Sequence, residues 1–116
     1  MQYKGSCHCG RIAFEVEGEL KGAMACNCSM CQRKGSLLWF VPRDQLKVLT
    51  PEDDNAGTYL FNKHLISHHF CKTCGIHPYA EAVDPKGNKM GAINIRCLEG
   101  IDLEAVPVQH YDGRAK

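Results

Sequence analysis

The placement of the cysteines constrains this chain more than any other feature of its 116 residues. Eight thiols fall in four places: "SCHCG" (Cys7, Cys9), "CNCSMC" (Cys26, Cys28, Cys31), "FCKTCG" (Cys71, Cys74) and "NIRCL" (Cys97). A disulfide between residues one apart, Cys7 with Cys9 or Cys26 with Cys28, would be strained. The same spacing suits neighbouring corners of a zinc tetrahedron, roughly 3.8 Å apart when Zn–S is about 2.3 Å. Residues i and i+2 of a strand face one side, so a C-x-C pair converges with a small local twist. Compartment points the same way: disulfides persist in oxidising spaces, and nothing in the sequence sends it to one. Metal sites are therefore expected in place of a disulfide scaffold.

The length fits a single domain, residues 1–116, with a modest core that a cross-link of some kind would help. With 14 basic against 13 acidic residues the net charge is +1, and no basic run stands out. Neither nucleic acid nor an anionic membrane is an expected partner, because neither has an electrostatic footprint here. The longest apolar run, "LLWFV" (Leu37 to Val41), is too short to cross a bilayer. No basic segment followed by an apolar one marks the N-terminus, so a soluble, cytoplasmic protein is expected.

The hydropathy pattern reads as mainly β. "RIAFEVEG" alternates Ile12, Phe14 and Val16 with polar neighbours, as a half-buried strand does. "SLLWFVP", "LKVLT", "TYLFN", "HPYAEAVD" and "MGAINIRCL" are short segments, several rich in β-branched or aromatic residues. "DPKGNK" is a turn signal, since Pro fixes one φ and Gly frees another, and "EDDNAG" reads as a solvated acidic turn. The pattern allows one or two short helical turns. Ser29 as N-cap, "MCQRK" as the turn and Gly35 as the stop predict one of them. Cys31 would lie in its first turn, where unpaired N–H groups favour a thiolate, with Arg33 and Lys34 adding positive charge.

"CHCG" and "FCKTCG" look like halves of one closed site. Each cysteine pair is followed by a glycine, Gly10 or Gly75, able to turn backbone N–H groups toward sulfur. Together they make four thiolates, the ligand count of a structural zinc. For Cys26, Cys28 and Cys31 two readings stand. Three protein ligands with an exchangeable fourth position make a catalytic site, and Cys97 as a fourth ligand would close it. Cys97 sits in an apolar, strand-like run, where a thiol also serves as a small buried hydrophobe.

The ordered set "GSCHCG", "CNCSMCQRKG", "FCKTCGIHPY" and "NIRCLEG", running from Gly5 to Gly100, resembles the glutathione-dependent formaldehyde-activating enzyme family, which includes the centromere protein V relatives. The resemblance implies a β-tent of stacked antiparallel sheets with two Zn²⁺ ions. It implies a structural zinc on Cys7, Cys9, Cys71 and Cys74, and a catalytic zinc on Cys26, Cys28 and Cys31, with Cys97 in neither set. Asn27 is a departure, because many members carry His inside that C-x-C.

The implied activity is that of a zinc-dependent carbon–sulfur lyase resembling S-(hydroxymethyl)glutathione synthase, adding glutathione thiolate to formaldehyde. Its partner would be a small-molecule thiol such as glutathione or a thiol adduct. Arg33, Lys34 and Arg96 are candidates for the carboxylates of such a ligand. Two other functions compete: a non-catalytic zinc module that binds a protein, and a thiol redox protein using Cys71 and Cys74. The redox reading lacks the βαβ context such pairs usually have. His68 and His69 are expected as strand residues with one face exposed, and His8 as pointing away from the metal. Trp39 and Phe40 are expected in the core, with Tyr79 packing about the first metal.

Overall fold

A computed structural model describes residues 1–26, 29–50, 55–60 and 66–111. Along the chain run β1 (Gln2–Ser6), β2 (Ala13–Glu17), β3 (Ala23–Cys26), helix α1 (Ser29–Lys34), β4 (Leu38–Pro42) and β5 (Leu46–Val48). They are followed by β6 (Ala56–Tyr59), β7 (Ile66–Cys71), β8 (Tyr79–Val83), β9 (Lys89–Asn94) and β10 (Val108–Tyr111). Three-residue 3-10 turns occupy Arg43–Gln45, Ile95–Cys97 and Leu103–Ala105.

The strands form two sheets, a small one in the order β1-β2-β5 and a large one in the order β10-β3-β4-β9-β8-β7-β6. Alternation decides which faces meet. Phe14 and Val16 of β2 are buried, and they point toward a row that the register draws across the large sheet: Trp39, Ile93, Tyr79 and His69. Phe14 and Tyr79 have ring centroids 6.3 Å apart, and Tyr3 meets Trp39 edge-on at 5.5 Å. Phe14 and Ile93 are completely buried, each contributing about 1.5–3 kcal/mol relative to an exposed side chain.

The opposite face of the large sheet presents Leu38, Ala80 and Ala92, and Cys31 of α1 packs on them. Two alanines on neighbouring strands leave room for the helix to lie close. That face also carries His68, directly across from Ala80.

The expected strands are present in β2, β4, β5, β6, β8 and β9, with the end of "TYLFN" beyond the described residues. The helix is where it was expected, with Ser29 as its first residue. Gly35, at φ +72°, donates its N–H to the Cys31 carbonyl at 2.9 Å and ends it. Most of "EDDNAG" lies outside the described residues.

Four expectations need correction. Cys97 is in a 3-10 turn, not a strand, because the Asn94 side chain accepts the Arg96 N–H at 3.2 Å and turns the chain. His68 and His69 are both buried, since both faces of β7 are covered. Phe40, unlike Trp39, is exposed at 39%. The sheets are antiparallel except where β10 runs parallel to β3.

Candidate metal centre and adjoining cleft

Two chain reversals of the same design bring four thiols together. In the first, Cys7 N–H donates to the Ile12 carbonyl at 3.0 Å and Gly10 N–H to the Cys7 carbonyl at 3.3 Å. In the second, Cys71 N–H donates to the Ile76 carbonyl at 2.9 Å and Gly75 N–H to the Cys71 carbonyl at 2.9 Å. Gly10 and Gly75 sit at φ +82° and +79°, left-handed values that a side chain would strain. This local geometry leaves other N–H groups free to point at sulfur. Ile12 donates to Cys7 Sγ at 3.4 Å, and Thr73 and Cys74 each donate to Cys71 Sγ at 3.4 Å.

The Sγ atoms of Cys7, Cys9, Cys71 and Cys74 all lie within 4.8 Å of one another. Cys7 and Cys9 are 3.7 Å apart and Cys9 and Cys71 3.5 Å, close to the edge of a zinc–thiolate tetrahedron. Burial pushes the Cys74 thiol up, but the N–H groups of Ile76 and Cys9, aided by the Cys71 and Cys7 thiols, bring it down to about 6. Cys71 is lowered too, against its burial, by the Cys74 and Thr73 N–H groups. For Cys9 the Arg11 N–H pulls downward, yet desolvation and the neighbouring thiols of Cys71, Cys7 and Cys74 hold it at about 11. Four sulfurs in contact cannot all carry negative charge without a cation among them, and this donor set fits a tetrahedral zinc.

Cys97 is outside this cluster. Burial raises its thiol to about 11, helped by the charges of Cys7 and Cys74, and Asn94 Nδ2 donates to its Sγ at 3.7 Å. Of the other predicted ligands, Cys26 ends β3 half-buried and packs on the small apolar cluster that contains Cys31. Cys28 lies outside the described residues.

Between α1, the Ile95–Cys97 turn and the second chain reversal lies a cleft of about 730 Å³, a volume suited to a small organic ligand. Arg33, Lys34, Arg96, His8 and His77 line it, and among the described residues no Asp or Glu does. Its walls are tied to each other and to the metal centre. Arg96 Nε donates to the Gly35 carbonyl at 3.2 Å, and Asn94 Nδ2 donates to the His77 carbonyl at 3.0 Å. Gly75, Ile76 and His77, which directly follow Cys74, form part of the lining. The three cations suggested by the sequence thus meet in one place. Asn94, which no motif argument had singled out, is the clamp behind them, and its place in "NIRCL" was the available signal.

The histidines separate by their partners. His69 is a satisfied core residue, with Nδ1 2.9 Å from Thr58 Oγ1 and Nε2 2.7 Å from Glu81 Oε1. Arg43 Nε holds the other Glu81 oxygen at 2.7 Å. The Glu81 carboxyl stays below its ordinary value, because the bonds from Arg43 and His69 outweigh its burial. His68 Nδ1 is 3.3 Å from Lys34 Nζ. Burial, followed by the charge of Lys34, lowers His68 and His77 to about 4 each. His8 is exposed, as is His110 on β10. Tyr79 is 2% exposed and belongs to the large core cluster.

Among the described residues no helix is long and apolar enough to cross a membrane. The solved crystal structure of a Rhodobacter sphaeroides protein, a structural-genomics target, is similar at 31% sequence identity and a TM-score of 0.77, covering 91% of this chain and 99% of that one. The sequence profile of the family described as "Glutathione-dependent formaldehyde-activating enzyme" matches residues 2–111. With that match spanning the two sheets, the four-thiol cluster and the cationic cleft, the chain belongs to the glutathione-dependent formaldehyde-activating enzyme family.

Proposed function

We propose that this protein is a zinc-dependent carbon–sulfur lyase-type enzyme that joins the sulfur of glutathione to formaldehyde, giving S-(hydroxymethyl)glutathione. The observation that carries the reading is the cleft. A tripeptide with two carboxylates calls for cations, and Arg33, Lys34 and Arg96 converge there with no acidic residue among the described residues of the lining. Family membership supplies the reaction class. The four-thiol cluster of Cys7, Cys9, Cys71 and Cys74 is the structural metal site in this reading, and Cys26, Cys28 and Cys31 are the catalytic ligands.

Zinc on those three thiolates would supply an open coordination position at which a substrate thiol gives up its proton. The chain's own part is to bind and orient. Arg33 and Lys34 project from the helix that carries Cys31, so a carboxylate held by them keeps the thiol end of the ligand beside α1. In the reaction a carbon–sulfur bond forms, the carbonyl π bond opens, and the proton lost by the thiol ends on the new hydroxyl. The Cys71–Cys74 pair converges with two further thiols, which favours a metal site over a two-cysteine redox centre.

Exchange NMR on a glutathione–formaldehyde mixture, with and without the zinc-loaded protein, tests the reaction. Adduct exchange is expected to accelerate, and Cys31→Ser is expected to return it to the spontaneous rate. No acceleration by the wild-type protein removes this substrate pair.

A further inference from the structure

We propose that Ser36 and Arg96 form a carboxylate subsite in the cleft, and that it takes the C-terminal carboxylate of the anionic thiol. The inference rests on the glutathione-type ligand proposed above. It adds the orientation of that ligand and gives Ser36 a role that no motif assigns.

Among the described residues of the lining two polar side chains are buried, Asn94 at 8% exposure and Ser36 at 5%. Asn94 is fully engaged. Its Oδ1 accepts the Arg96 N–H at 3.2 Å, and its Nδ2 donates to the His77 carbonyl at 3.0 Å and to Cys97 Sγ at 3.7 Å. Ser36 is the contrast: among the described residues its hydroxyl makes no hydrogen bond. A hydroxyl so far withdrawn from water is costly until a ligand or ordered solvent completes it.

Arg96 is fixed beside it. Its Nε donates to the carbonyl of Gly35, the residue before Ser36, at 3.2 Å. The Ile95 N–H donates to the carbonyl of Leu37, the residue after it, at 2.9 Å. The Ile95–Cys97 turn therefore clasps Ser36 from both sides. A guanidinium engaged through Nε keeps its Nη donors for a ligand, and fixing it beforehand spares part of the ordering cost of binding. The available acceptors decide which carboxylate fits. The carbonyls of Gly35, Leu37 and His77 already accept from Arg96, Ile95 and Asn94. An ammonium beside them would lose its water next to a guanidinium, with no carboxylate among the described lining residues to pair with it. The amino-acid end of glutathione carries an ammonium on the same carbon as its carboxylate, whereas the glycine end carries a carboxylate alone. The glycine end is the one this subsite suits.

Calorimetric titration of the zinc-loaded full chain tests the inference with glutathione and two of its monoethyl esters, one at the glycine carboxyl and one at the γ-glutamyl α-carboxyl. The wild type is expected to bind glutathione at least tenfold more tightly than the glycine ester. Ser36→Ala is expected to cut affinity for glutathione and for the γ-glutamyl ester about tenfold, as loss of one hydrogen bond to a charged group predicts. Its affinity for the glycine ester should be unchanged. Ser36→Thr, which keeps a hydroxyl, should retain most of the preference. Arg96→Met should lose the preference as well. Because Arg96 also ties down Gly35, the Ser36 variants decide the matter if that protein fails to fold.

Unchanged glutathione affinity in Ser36→Ala overturns the inference. So does a loss that persists in full with the glycine ester, which would mark the hydroxyl as structural. A loss that vanishes with the γ-glutamyl ester instead gives the subsite to the other carboxylate and overturns the inference too. A wild type that distinguishes glutathione from neither ester overturns it together with the anion cleft. A wild type that shows the preference without accelerating adduct exchange sinks only the proposed reaction, and the Ser36 variants then still decide the subsite.

Discussion

Two imidazoles resist protonation in the fold, buried His68 and half-buried His77. His68 and His77 are both lowered from 6.5 to about 4 by burial and by Lys34. Between those values the unfolded chain binds protons that the folded chain refuses, so stability falls as pH drops from about 6.5 to about 4 and is unaffected by these groups above that window. Urea midpoints of wild type and His77→Gln, compared at neutral pH and near pH 5, check the sign. The wild type should lose more on acidification, because thiolate protonation is common to both proteins and cancels. Equal losses would mean that His77 is charged in the fold. The sequence showed six histidines and could not rank them. What separates His69 from His68 is the partner: strand register puts Thr58 and Glu81 beside His69, and the packing of α1 on the sheet puts Lys34 beside His68.

Among the elements, the two cysteine reversals were the most legible, because their geometry is local. A thiol pair followed by glycine specifies a turn whose N–H groups face sulfur, and both turns close over the same five-residue span. At Gly75 an added Cβ would meet nothing within 4 Å, so only backbone strain opposes Gly75→Ala. That strain, about 1–2 kcal/mol at a left-handed position, should appear as a roughly tenfold loss of zinc affinity in a competition titration with a chromogenic chelator. An unchanged affinity would show that the turn forms equally well without the metal. The "DPKGNK" turn was legible for the same reason: Asp84 caps it by accepting the Lys86 and Asn88 N–H groups at 2.9 and 2.8 Å. β10 was not legible. All four of its residues are exposed, so no alternation marks it, and its parallel partner β3 is far away in sequence.

For the molecule as a whole, the four-thiol cluster joins the start of the small sheet to the end of β7, and its loops continue into the cleft. Closing the 62-residue span between Cys9 and Cys71 by a cross-link is worth about 4 kcal/mol in chain entropy. Chelation is therefore expected to lower the unfolding temperature sharply and to abolish glutathione binding, since Gly75, Ile76 and His77 belong to both features. Cys7→Ser should behave like the chelated protein, whereas Cys31→Ser should stay folded and lose one equivalent of zinc by elemental analysis. Global unfolding of Cys31→Ser would place a structural role at the second thiol group. The amino-acid order alone determined the mainly β character, the short helix and the two thiol turns, because each depends on neighbours within a few residues. It also offered Arg33, Lys34 and Arg96 as ligand-binding cations. Only the tertiary structure decided that these cations share a cleft with no acidic group among its described lining residues, that this cleft borders the four-thiol loops, and that Cys97 is outside the four-sulfur cluster. Those outcomes depend on how two sheets and a helix pack, and packing couples residues whose separation along the chain carries no local signal.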